Sequence, residues 1–147
     1  MRRFDAGMDE RWRRWLTRAT QWSALLGGLA LAGCAGLTKE SPTEDKVTAV
    51  VERANARWQA IVKRDFDAAY AYLSPSSRAV TPLPSFKKSA SRAAFRAAQI
   101  DRVSCESEVC KVKVTVTYDH RIMKGIATPL EETWVIDQGQ VWYVWQP

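Results

Sequence analysis

Between Cys110 and Tyr118 the sequence alternates without a break: Cys110, Val112, Val114, Val116 and Tyr118 take one parity, Lys111, Lys113, Thr115 and Thr117 the other. Side chains along a strand point to opposite faces in turn, so this run is a strand with one face buried and one in water. Its partners can be read nearby. Ala97 to Cys105 can fold back through Glu106 to Val109. Thr128 to Ile136 and Gln140 to Gln146 are aromatic and β-branched runs joined by Asp137-Gln138-Gly139, a hairpin signal.

The residues before Phe95 have a different period. Val47, Val50, Val51, Ala54, Trp58, Ile61 and Val62 recur at intervals of three and four, which makes one apolar stripe on a long helix. Glu52, Arg53, Arg57, Lys63 and Arg64 fall to the polar remainder. Ser41, Pro42 and Glu44 have the spacing of a capping box with proline at the first helical position. Asp65 can cap a short helix from Phe66 to about Leu73, and Ser74-Pro75 starts another through about Val80. After the interruption Thr81-Pro82-Leu83-Pro84, Phe86, Ala90 and Ala94 give Ser85 to about Ala94 helical character. Helices followed by antiparallel strands make the fold α+β, with a long N-terminal helix and short helices packed on one face of a sheet.

The long helix, the segment Lys63-Arg64-Asp65-Phe66-Asp67-Ala68-Ala69-Tyr70, then Leu73-Ser74-Pro75 and a last strand through Trp142-Tyr143-Val144 resemble the nuclear transport factor two-like superfamily, the ketosteroid-isomerase-like cone fold. The resemblance covers about Thr43 to Gln146. It implies a strongly curved sheet wrapped around the helix and an apolar pocket at one end, for which Trp58, Tyr70, Phe86, Val114, Val116 and Trp134 are the candidate lining residues. The isomerase-type Asp and Tyr do not map onto this sequence position by position.

The N-terminal stretch restricts location instead of fold. Arg2, Arg3, Arg11, Arg13, Arg14 and Arg18 precede an apolar run from Trp22 to Ala32, which has the two parts of a secretory signal. The run is shorter than the ~20 apolar residues that cross a bilayer core. It ends in Leu31-Ala32-Gly33-Cys34, which resembles the lipobox of bacterial lipoproteins. That resemblance implies cleavage between Gly33 and Cys34, acylation of Cys34, and a membrane anchor of several chains on one residue, where a single chain holds only marginally. Met8 is an alternative start, and Arg13-Arg14 fits a twin-arginine export signal only in part. Ala35 follows the cysteine where an aspartate would imply inner-membrane retention. The implied address is therefore the periplasmic face of the outer membrane in a Gram-negative bacterium. Residues 1–33 are then signal peptide, 34–42 the lipidated cysteine and a polar tether that stands the domain off the membrane, and 43–147 one compact domain.

Loss of the first 33 residues removes 6 of 22 basic and 3 of 16 acidic side chains, which leaves 16 against 13, a net +3. That balance is a solvated surface and excludes a nucleic-acid footprint, which needs Lys and Arg clustered on one face. Lys87, Lys88, Arg92 and Arg96 form one modest basic stretch. Cys105 and Cys110 remain as a pair, expected to be oxidised in the periplasm and to act as a local staple of about 2 kcal/mol. One histidine and two cysteines do not make a closed zinc site, and no cofactor motif is present.

Few residues are candidates for chemistry. If Cys105 faces Cys110 and Val103 faces Val112, unbroken pairing puts Asp101 opposite Val114 on the apolar side. Either a bulge near Ile100 to Arg102 turns Asp101 outward, or it is a buried carboxylate with a raised pKa and a candidate base. Tyr70 and Tyr118 are candidate hydrogen-bond donors to a ligand oxygen. His120 is expected in an exposed loop, unable to pair with its neighbour Asp119. Trp142 and Trp145 take opposite parities, so one of them is free to cover an edge or meet a partner. The leading expectation is a non-catalytic, lipid-anchored envelope protein that binds an apolar small molecule or an envelope partner protein. A cone-fold isomerase, dehydratase or hydrolase and a structural homodimer are the alternatives.

Overall fold

The computed structural model describes residues 36–146. The signal segment, the lipobox and Cys34 lie outside the described residues. Helix α1 spans Thr43–Val62 and turns Val50, Ala54, Trp58 and Ile61 into the core. Its start differs from the expected capping box. Pro42 occupies the cap position, and the Ser41 hydroxyl instead accepts the Thr38 amide at 2.9 Å. Glu44 and Asp45 are left to oppose the positive end of the helix dipole in the first turn.

Arg64 ends α1 in the left-handed region at φ 62°, while the Asp65 amide donates back to the Ala60 carbonyl. The Asp65 carboxylate then caps α2, Phe66–Tyr70, by accepting the Ala68 amide at 3.0 Å. Helix α2 stops before Leu73 because the next residues pair with the sheet: Tyr143 donates its amide to the Tyr72 carbonyl and accepts that of Ser74, both at 2.8 Å. Ser74 caps α3, Pro75–Val80, through the Ser77 amide. Helix α4 spans Leu83–Ala90, starting inside the proline-rich interruption because Pro84 suits a first helical turn, whose amide needs no partner. Ala94 and Phe95 belong to the sheet.

Strands β1 (Ala94–Glu106), β2 (Val109–Asp119), β3 (Ile126–Asp137) and β4 (Gln140–Val144) form one antiparallel sheet in sequence order. Among the described residues the fold is thus α+β, with helix α1 packed mainly on β1. Val112, Val114, Val116, Trp134, Ile136, Val141 and Tyr143 bury one face of the sheet, and Leu73 and Phe86 pack into the same core. Lys111, Lys113 and Glu131 are exposed on the other. The β3–β4 turn runs through Gln138 and Gly139, both at positive φ (50° and 75°), as a two-residue primed turn requires.

Cys105 pairs with Cys110 and the two are disulfide-bonded, with Val103 opposite Val112. The register of β1 then shifts between Ile100 and Arg102, so Ile100 faces Val114 and Asp101 is the extra residue of a bulge. A second shift lies between Phe95 and Ala97.

The expected free tether is not free from Gly36 onward. Leu37 bridges Gly139, Thr38 and Ser41 close a turn, and the ammonium of Lys46 donates to the carbonyls of Lys39 and Ser107. Lys46 is 4% exposed, so a charged side chain has been buried to hold this segment against the β1–β2 turn.

Candidate functional site

Helix α1 reaches the sheet with Arg57 and Trp58 in its next-to-last turn. Together with Phe95 of β1, Glu132 of β3, Tyr143 of β4 and Trp145 just beyond it, they line a cavity of about 260 Å³, open to solvent. Four aromatic rings belong to the wall: Trp58 meets Phe95 edge-on at 5.3 Å between centroids, and Tyr143 meets Trp145 at 6.3 Å. Edge-to-face packing of this kind adds to area burial and holds ring positions.

The floor is charged. Arg57 is 2% and Glu132 3% exposed, and the guanidinium donates to Glu132 Oε1 at 2.7 Å. Glu132 Oε2 accepts the Trp134 indole N–H at 3.0 Å, so both carboxylate oxygens are engaged. Removing two charges from water is costly, and the pair persists only because these extra bonds hold it. The guanidinium also lies over the Tyr143 ring, 3.7 Å from its centroid. Burial raises the phenol of Tyr143 above its ordinary 10.0, the nearby Arg57 charge opposing and the Glu132 charge assisting. Tyr143 is therefore a neutral phenol at physiological pH. Behind these walls two donors, Arg57 Nε and Trp58 Nε1, are buried without a hydrogen-bond partner among the described residues. A buried donor left unpaired costs about 1–3 kcal/mol.

Of the candidate lining residues, the structure brings Trp58 to this cavity. Phe86, Val114, Val116 and Trp134 are fully buried core. Tyr70 packs on Phe86 and spends its hydroxyl on the Thr81 carbonyl at 2.9 Å. Tyr118 packs on Phe95. Asp101 is exposed in the bulge and accepts the Thr115 hydroxyl at 2.8 Å, so it is not the buried carboxylate that unbroken pairing would have made it. His120 is exposed in the β2–β3 loop, while Asp119 accepts from Arg96 and from the Gly125 amide. Trp142 is half-buried between two arginines: the guanidiniums of Arg53 and Arg78 lie 5.6 and 5.4 Å from its ring.

Arg57, Glu132 and Tyr143 are absent from the sequence candidates, yet two left a signal. Glu132 has the parity of Trp134 and Ile136 and so breaks an apolar strand face. Arg57 sits three residues after Ala54 and four before Ile61, within the apolar stripe. A charge on the buried phase of both elements implies a buried pair.

No protein-family model matches the chain, and no curated protein matches it. Among solved structures, the solution structure of a SEC-C motif containing protein from Rhodopseudomonas palustris is similar over 60% of this chain and 69% of that one, at TM-score 0.50 and 13% identity. At that identity the likeness is one of fold.

Proposed function

We propose that this chain is a lipid-anchored lipoprotein on the periplasmic face of the outer membrane, acylated at Cys34, whose domain is a non-catalytic binding module for a small, mainly apolar molecule or an apolar side chain of a partner protein. The cavity beside α1 carries the binding part of this reading. Trp58, Phe95, Tyr143 and Trp145 supply rings to its wall, and its one buried carboxylate, Glu132, is held by Arg57 and Trp134. A carboxylate with both oxygens already engaged by fixed protein donors is held in place by them, which favours recognition over acid–base catalysis. The aromatic rings of Trp58, Phe95, Tyr143 and Trp145 on the cavity favour a ligand with an apolar body. The long helix lying on the sheet with a cavity near its C-terminal end agrees with a cone-type domain. The anchoring part rests on Leu31-Ala32-Gly33-Cys34 with its basic and apolar leader. No helix of the described residues is long and apolar enough to cross a membrane.

Native mass spectrometry of the protein purified from the envelope, set beside Leu130→Trp, tests the binding part. Leu130 lines the cavity and is partly exposed, so a larger ring there fills the mouth without entering the core. The expected result is a non-covalent adduct lost in Leu130→Trp with the melting temperature unchanged. No adduct, and no chemical-shift change of the Trp58 indole on titration with a panel of small aromatic and aliphatic acceptors, would reject it. Metabolic labelling with an alkyne fatty acid tests the anchor; the label is expected on the wild type and absent from Cys34→Ser.

A further inference from the structure

Gly36 and Gly139 touch backbone to backbone. A Cβ on Gly36 would lie 2.7 Å from the Gly139 Cα, and a Cβ on Gly139 would lie 2.8 Å from the Gly36 Cα. Neither position has room for a side chain, and Gly139 also needs its positive φ. The neighbouring Leu37 bridges Gly139, and Lys46 ties Lys39 to the β1–β2 turn at Ser107. The chain thus enters the domain at the end of the sheet that carries both turns, and is clasped there from Gly36 on.

Cys34 precedes Gly36 by two residues, so its Cα is within about 7 Å of Gly36 whatever path Ala35 takes. Resting on the lipoprotein reading above, we infer that the clasp makes the sheet end carrying the Ser107-Glu108 and Gln138-Gly139 turns the surface that lies against the lipid headgroups. Strand β2 runs from that end to the β2–β3 loop, roughly 30 Å away at strand rise. The loop, with Ile122 87% exposed, therefore points into the periplasm. Glu106, Glu108 and Asp137 are exposed at the turn end and oppose anionic lipid. The covalent anchor and the clasp, not charge, set the pose.

The test uses the acylated full-length protein in phosphatidylcholine vesicles that contain a headgroup-nitroxide lipid. A fluorophore is placed on Asp137→Cys or on Ile122→Cys, with Cys105–Cys110 kept oxidised and Cys34 acylated so that only the new thiol reacts. Both sites are exposed. Severalfold quenching at 137 with none at 122 is expected. Gly36→Ala, outside every helix and strand, and separately a flexible Gly-Ser spacer inserted before Gly36, are expected to bring the two sites toward equal quenching. Equal quenching in the parent protein, or a difference that survives both changes, would overturn the clasp-set pose and leave the lipoprotein reading standing. Absence of acyl mass on Cys34 would overturn both.

Discussion

Helix α1 buries two cations, and the molecule treats them differently at its two ends. Lys46, in the first turns, spends its ammonium on backbone carbonyls of the incoming segment and the β1–β2 turn, and these partners are neutral. Arg57, three turns later on the same stripe, is matched by a carboxylate, lies on a tyrosine ring and lines a cavity. The contrast separates a fastener from the site proposed above for recognition. A buried charge whose donors go to main-chain oxygen holds segments together, whereas a buried ion pair beside a cavity provides fixed polarity for whatever enters.

The sharpest way to break the comparison is to remove one partner at the Arg57 end. Glu132→Ala leaves the guanidinium uncompensated and is expected to cost about 3–5 kcal/mol in urea unfolding. Arg57→Met with Glu132→Leu removes both charges and should recover most of that loss while abolishing ligand retention; a double variant as unstable as the single would mean that packing, not charge, governs the site. At the other end, Lys46→Met is expected to cost less, about 2 kcal/mol, for the lost charged hydrogen bonds. Hydrogen exchange should rise at Leu37 to Ser41 and stay unchanged around Tyr143. Next comes Cys105→Ala with Cys110→Ala, near 2 kcal/mol or below, since the loop closed by the disulfide is short.

The smallest effect belongs to the exposed rim. The Gly125 amide first, then Arg96, lower the Asp119 carboxyl below its ordinary 3.8. A depressed carboxylate contributes stability above its unfolded pKa and loses it as the pH falls through the folded value. Unfolding midpoints followed from about pH 5 to about pH 2 should therefore fall slightly less steeply for Asp119→Asn than for the parent, with the difference confined to the acid side of 3.8.

These elements differ in how legible they are before folding. The order of helices and strands, the β3–β4 hairpin, the Asp65 and Ser74 caps and the Cys105–Cys110 pairing follow from local rules: period, turn chemistry and register. The start of α1 did not, because Thr38 competes for the Ser41 hydroxyl that a capping box would use. Helix α2 is shorter than its apolar spacing because Tyr143, far along the chain, takes the Tyr72 and Ser74 backbone. The site was least legible. Arg57 counts as a solvent-facing residue until its partner 75 positions away is known, and the choice between an outward and an inward Asp101 depends on a bulge whose place is set by pairing with β2.

The two register shifts in β1 have a consequence beyond where Asp101 points. β1 is the outer strand on its side of the sheet, while β4 is covered by Tyr72 to Ser74. A long, straight outer strand would offer its free amides and carbonyls to the same strand of a neighbouring molecule, the first step of fibrous aggregation. Interruptions at Phe95/Ala97 and Ile100/Arg102 divide that template into short pieces, and bulges of this kind bend and twist a strand away from edge-to-edge pairing.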